Sequence, residues 1–215
     1  MIDLFRRRSN SIYSLIHEIR NCTLAHSSMV LHIGAHSGVE APMYNKFRVP
    51  VTWIEANPRI FPSLVENIQL FEEQKAILAL LGSENQKMVE FHIANNDGHS
   101  SSILNFGKDM NHQGLAMIDS MDLLMSRLDC VLGEDDVRKE SHWVIDVQGY
   151  ELEVLIGAGN LVNHASSMEI EVSTKEEYAG GATYSDVKEF MRINGFRPLW
   201  EPKPHSHEDI FFIRR

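Results

Sequence analysis

The chain is poor in cysteine, in long apolar runs and in positive charge, and each shortage removes a class of protein. Only Cys22 and Cys130 occur in 215 residues. They stand far apart and in no C-x-x-C spacing, which argues against a thiolate metal centre or a disulfide framework and predicts free, buried or half-buried thiols in a reducing compartment. The longest apolar run, Ala76-Ile77-Leu78-Ala79-Leu80-Leu81, is strand length, so no membrane span is expected. Lys and Arg number 20 against 30 Asp and Glu, a net charge of -10, which disfavours binding along a nucleic-acid backbone. The one basic cluster, Arg6-Arg7-Arg8, reads as the solvated start of a helix. No apolar stretch of signal-peptide type follows those arginines, so a cytoplasmic location is expected. Internal repeats and low-complexity tracts are absent as well.

What the sequence does contain is a pair of segments some twenty residues apart. Val30-Leu31-His32-Ile33 runs into Gly34-Ala35-His36-Ser37-Gly38, and Val51-Thr52-Trp53-Ile54 runs into Glu55-Ala56-Asn57-Pro58. A strand, a glycine turn and an acidic residue at the end of the next strand are what a βαβ unit needs to hold an adenosine-containing cofactor. Gly34 lets the backbone turn sharply, and Gly38 lets a helix begin close to a ligand. Glu55 can accept hydrogen bonds from both ribose hydroxyls. The spacing Gly34-x-x-x-Gly38 is not the G-x-G-x-x-G of dinucleotide binders. A cofactor without a pyrophosphate, S-adenosylmethionine in the first place, therefore fits better than NAD.

Helical spacing of Ile12, Leu15, Ile16 and Ile19 predicts an amphipathic helix over about 10–21, within an N-terminal extension of residues 1–28 packed on one domain of residues 29–215. Helices are expected over 40–47, from Pro58 to about Glu73, over 117–128, from Tyr150 to Gly157, and over 185–194 with Gly195 as its cap. Strands are expected at 30–33, 51–55, 76–81 (ending at Gly82), 88–93, 142–145, 168–172, 197–201 and 210–214. The polar loop from Asn95 to Ser102 is too long for a simple connection. This alternation indicates a doubly wound, mostly parallel α/β sheet with an antiparallel C-terminal strand. Ligands in such sheets bind beyond the carboxyl ends of the strands, which here carry His36, Glu55, Gly82, Asp146 and Glu171.

With Asp146-Val147-Gln148-Gly149-Tyr150-Glu151-Leu152-Glu153-Val154-Leu155 in view, the chain resembles the FkbM family of S-adenosylmethionine-dependent methyltransferases. The likeness runs from about residue 30 to 213. It takes in the glycine loop, the Trp53–Pro58 segment, Ser100-Ser101-Ser102, Met121-Asp122-Leu123-Leu124 and Asp209-Ile210-Phe211-Phe212. It implies a seven-stranded class I methyltransferase fold acting on a hydroxyl, often of a sugar or a polyketide-type product. Two positions depart from the family's habit: His32 stands where an aspartate is common, and His36 where an asparagine is.

On this reading Gly34, Ala35, His36, Gly38, Glu55, Ala56, Asn57, Gly82, Ser101, Ser102 and Asp146 surround the cofactor, and Asp146 and Glu171 carry the chemistry. Methyl transfer from a sulfonium is an in-line displacement that needs alignment and help with the hydroxyl proton. Asp146 can be the base, or can hold a divalent cation such as Mg2+ together with Gln148 and Glu171; it can equally cap the helix that follows. His99, His205 and His207 lie in loops able to overhang the strand ends. The acceptor is expected to be a small hydroxylated molecule, a carbohydrate first. A nicotinamide-dependent oxidoreductase and a catalytically silent nucleoside-binding module are the competing readings.

Overall fold

The structure, a computed structural model, describes residues 2–108 and 114–215, with side chains from residue 14 onward. Arg6-Arg7-Arg8 and Ile12 thus have side chains outside the described residues. The chain opens with helix α1 (Ile2–His26), longer than the apolar spacing predicts. It then alternates: β1 (Val30–Ile33), α2 (Ala41–Lys46), β2 (Val51–Glu55), α3 (Phe61–Ile68) and β3 (Gln74–Leu78). After an insertion come β7 (Ser141–Ile145), α5 (Glu151–Gly157), β8 (Ala165–Ser173), α6 (Tyr184–Ile193), β9 (Phe196–Pro198) and β10 (His207–Arg214).

The main sheet has seven strands in the order β3-β2-β1-β7-β8-β10-β9. β1, β2, β3, β7 and β8 pair in parallel, and β10 runs antiparallel between β8 and β9. The antiparallel C-terminal strand predicted from sequence is therefore present, one place in from the edge. β1 is buried at all four positions and β2 at all five, as continuous apolar runs in a doubly covered sheet require. On one face Leu31, Ile33, Trp143, Ile145 and Ile170 pack against Val154 and Leu155 of α5 and Val187 and Met191 of α6. On the other, Val30, Val51 and Trp53 pack against Leu24, Tyr44 and Leu64. His32 belongs to this second core: its Nδ1 lies 3.0 Å from the Tyr44 hydroxyl and its ring stacks on Trp53. Burial lowers its pKa to about 3, so the imidazole is neutral.

The insertion corrects the sequence reading. Residues 117–128 are not a helix: β6 (Met117–Ser126) pairs antiparallel with β5 (Lys87–Ala94) and parallel with β4 (Leu80–Leu81), and only Leu128–Val131 is helical, as α4. Leu123 and Leu124 together suggest a helical stripe, but Leu124 is 51% exposed, while Met121, Leu123 and Met125 alternate onto the covered side. The run 76–81 divides, its first part serving the main sheet and Leu80-Leu81 the smaller one. The helix after Asn57 also starts later and ends sooner than expected, because residues 58–60 form a turn held by Asn57 Oδ1, which accepts the Arg59 N–H at 3.0 Å. The last hairpin strand is Phe196–Pro198 rather than 197–201. Among the described residues no helix is long and apolar enough to cross a membrane.

α1 is tied to the sheet by charge. Arg20 forms a two-pronged ion pair with Glu169 of β8, whose carboxylate is almost fully buried. Removing one partner of such a pair leaves a buried charge uncompensated. Arg20→Met is expected to destabilise the protein by about 3 kcal/mol, read as a lowered midpoint in urea. Adding Glu169→Gln should restore much of the loss.

Candidate active site

β1, β2 and β7 end in register, Ile33 opposite Ile54 and Ile145, so Gly34, Glu55 and Asp146 meet at one edge. Gly34 has φ +82°, and a Cβ there would lie 1.7 Å from the Asp146 carbonyl oxygen. Only glycine allows the two backbones to approach so closely. Gly38, at φ +67°, leaves room for Leu64 of α3. Glu55 is buried, and one carboxylate oxygen accepts the His36 N–H and the other the Asn57 N–H, each at 2.7 Å. Burial raises its pKa while these amides oppose the rise. Each oxygen keeps a lone pair for a further donor. Ala35 and Asn57 are themselves buried, Ala35 in the core beneath the loop.

His36 adopts a left-handed φ of +46°, a conformation that asparagine also tolerates. Its ring stacks on His99 with centroids 3.8 Å apart, and its Nε2 lies 3.1 Å from the Asp97 carbonyl oxygen. The stack ties the glycine loop to the polar loop 95–102. Together they border a cleft lined also by Glu55, Ala56, Leu80, Phe91, Ser101, Ile103, Asp146, Gln148 and Tyr150. The small sheet thus supplies the apolar wall. Ser101 Oγ accepts the Ala94 N–H at 3.1 Å. Ser102 is turned away from the cleft: its hydroxyl donates to the Gln148 carbonyl at 2.8 Å and accepts the Leu104 N–H. Gly82 is also outside the lining, packed against Met125 and Tyr150 with its carbonyl where a Gly157 Cβ would be 2.0 Å away.

Asp146 lines this cleft and a second cavity beside it, which it shares with His99, Ser100, Leu115, Gln148, Glu171, Glu177 and His207. Gln148, at φ +58°, donates from Nε2 to Asp146 Oδ1 at 2.5 Å and to Glu171 Oε2 at 2.7 Å, and its Oε1 accepts the Tyr178 hydroxyl at 2.5 Å. Asp146 and Glu171 hydrogen-bond to each other. Burial first, then the negative Glu171, hold the Asp146 pKa well above the ordinary range. Burial would raise Glu171 too, but hydrogen bonds from His207 and Asp146 bring it below. The two carboxyls are coupled, the upward shift falling on Asp146 and the downward one on Glu171, so Asp146 is the readier of the two to hold a proton. His207 Nε2 lies 2.8 Å from Glu171 Oε1 and its Nδ1 2.5 Å from Glu177 Oε2; these carboxylates lift its pKa to about 9, against the opposing effect of burial.

The sequence named Asp146, Gln148, Glu171, His99 and His207, and the structure brings all five around one cavity. His205 is exposed at a loop tip. Missed were Glu177 and Tyr178, on the loop after β8, and Glu151. Burial moves the Glu151 pKa to about 7, and its Oε1 accepts the Val147 and Gly149 N–H groups. Oxygens of Asp146, Glu151 and Glu171 lie within 4.8 Å of one another. Removing the Glu151 acceptor would leave two amides unsatisfied. Glu151→Ala is expected to cost about 2–3 kcal/mol, whereas Glu151→Gln, which keeps the oxygen, should melt close to the unaltered protein in calorimetry.

The fold is shared with methyltransferases of known structure. Magnesium protoporphyrin IX methyltransferase from Synechocystis PCC 6803, solved with bound SAM, superposes with a TM-score of 0.52 at 9% identity, over 97% of this chain and 80% of that one. Aeropyrum pernix fibrillarin, in complex with natively bound S-adenosyl-L-methionine, does so with a TM-score of 0.52 at 12% identity, over 88% of this chain and 68% of that one. No curated protein matches the chain in sequence. The model of the methyltransferase FkbM domain matches residues 32–198, a span that holds the glycine loop, Glu55, both serines, Asp146 and Glu171. The chain belongs to the FkbM methyltransferase domain family.

Proposed function

We propose that this chain is an S-adenosylmethionine-dependent O-methyltransferase acting on a small, neutral, polyhydroxylated acceptor, a sugar or a similar molecule. The observation that carries this reading is the shared wall. Asp146, Gln148 and His99 border both the cleft held by the glycine loop and the cavity holding the ionised Glu171. A nucleoside gripped by Glu55, Gly34 and the backbone of His36 would direct its far end at that wall. When bound, S-adenosylmethionine supplies an electrophilic methyl group on sulfur, which leaves as the neutral thioether as the carbon–oxygen bond forms.

The chain's own work is to align the acceptor and to take one proton. Glu171, kept ionised, is the group we assign as base for the hydroxyl. Asp146, the first choice on sequence grounds, is the member of the pair that holds a proton more readily, and we assign it as the hydrogen-bond donor that steadies Glu171. The described lining of the acceptor cavity contains polar groups and Leu115 but no Lys or Arg, which supports a hydroxylated acceptor over a phosphorylated one. Cys22 and Cys130 are free and, contrary to the sequence expectation, exposed; exposed thiols support a reducing compartment such as the cytoplasm.

The donor set fits a proton better than a divalent cation. Gln148 turns its NH2, not its carbonyl, to Asp146 and Glu171, while Glu151 Oε1 is occupied by two amides. His207 already supplies a positive charge beside Glu171. EDTA followed by gel filtration is therefore expected to leave methyl transfer unchanged; loss of transfer restored by Mg2+ would return the site to a metal reading.

The whole proposal is tested with tritiated S-adenosylmethionine and a panel of monosaccharides and glycosides, alongside melting curves with S-adenosylhomocysteine or NAD. Stabilisation by S-adenosylhomocysteine and label in a sugar are expected; stabilisation by NAD alone would replace the proposal with the oxidoreductase reading. Glu171→Gln should lower kcat by about 10²–10⁴-fold with the KM for S-adenosylmethionine little changed. Asp146→Asn, which keeps a neutral side chain of the same shape, should lose less.

A further inference from the structure

We infer that His207 and Glu177 are positioning residues for Glu171: they fix its carboxylate against the acceptor cavity. The inference rests on the methyltransferase reading for its purpose but on separate observations for its substance. The two oxygens of Glu171 are gripped from different sides, Oε1 by His207 Nε2 at 2.8 Å and Oε2 by Gln148 Nε2 at 2.7 Å. The plane of the carboxylate is thereby set, and with Asp146 taking a further position one lone pair stays for a substrate hydroxyl.

The other imidazole nitrogen lies 2.5 Å from Glu177 Oε2, a buried oxygen that accepts no directed hydrogen bond, so the two are coupled as an ion pair. Glu177 sits on the same short loop as Tyr178, which is buried and donates its one hydroxyl proton to Gln148 Oε1 at 2.5 Å, with the Ser100 carbonyl 3.3 Å away. One loop therefore steers both partners of Glu171. A further, smaller cavity is also lined by Glu171, Glu177 and His207. The other charged groups around His207 are Glu208 and Asp209 on its own strand, Arg20 of α1 near Asp209, and Lys175 on the loop after β8.

His207→Gln and Glu177→Gln test this in the full chain with glutamate labelled by 13C at the carboxyl carbon. The Glu171 carboxyl is assigned by its loss in Glu171→Gln. It is expected to titrate below the ordinary glutamate range in the unaltered protein and about 1–3 units higher in His207→Gln, with a smaller rise in Glu177→Gln. The His207 ring should stay doubly protonated to about pH 9 and lose that in Glu177→Gln. Both variants should keep the melting shift given by S-adenosylhomocysteine, since neither residue lines the cofactor cleft, and their kcat should fall at least about tenfold at constant KM for the cofactor. A Glu171 titration unmoved in both variants, or a kcat unmoved in both, overturns the inference. Should His207→Gln fail to fold, Glu177→Gln decides alone by the same two readouts. If the unaltered protein shows no shift with S-adenosylhomocysteine, the methyltransferase reading fails, and the carboxyl titration still decides whether the pair holds Glu171.

Discussion

The approach of the Gly34 backbone to the Asp146 carbonyl closes the edge at which the paired strands β1 and β7 end. A side chain at residue 34 would push the end of β7 away from the end of β1, because its Cβ would sit 1.7 Å from that carbonyl oxygen. With glycine there, the turn that faces the cleft and the strand that carries Asp146 share one edge. Glu55 completes the junction by accepting one amide from each flanking turn, His36 on one side and Asn57 on the other. Burial makes that ionised carboxylate costly, and the two amides offset part of the cost. The same groups can therefore organise the loop and still present lone pairs to a ribose.

Beyond that edge the problem is too much negative charge in too little water. Asp146, Glu151, Glu171 and Glu177 converge on a few residues of backbone. Like charges so close cannot all ionise. The chain meets this in three ways: Asp146 is shifted towards its protonated form, Glu151 is lifted to about 7 and bound to amides, and His207 is held charged between Glu171 and Glu177. What is left ionised and facing the acceptor cavity is Glu171. The chemistry assigned to the site follows from this distribution of protons more than from the identity of any one carboxylate.

The sheet and the cofactor side were legible because local rules decide them. Apolar runs of strand length, glycines with positive φ and an acid at the next strand end each follow from short-range sterics or hydrogen bonding. The insertion was not legible. Leu123 and Leu124 read as a helical stripe until pairing with β5 shows which of them the sheet covers, a contact some thirty residues away. Gly82 reads as a strand-end ligand residue because the sequence cannot show α5 pressing Gly157 onto its carbonyl. Glu177 and Tyr178 carry no local signal at all; their roles exist only because the loop after β8 folds back over Gln148. Which member of the pair holds a proton more readily was hidden for the same reason, since it depends on His207 arriving from β10.

One further consequence concerns α1. Glu169 and Glu171 are two residues apart on β8 and so share a face, and Asp209 is the register partner of Glu171 on β10. Three acids in that arrangement would repel one another across the strand pair. Asp209 feels it: burial and then Glu171 raise its pKa, and Arg20 pulls the other way. Arg20 reaches down from α1 to pair with Glu169 and comes within 4.0 Å of Asp209. The N-terminal helix thus sets one positive charge against the two acids nearest Glu171, while His207 meets Glu171 itself from β10. The helix outside the alternating core thereby tempers the acidic column at its Glu169 and Asp209 end, without touching the acceptor cavity.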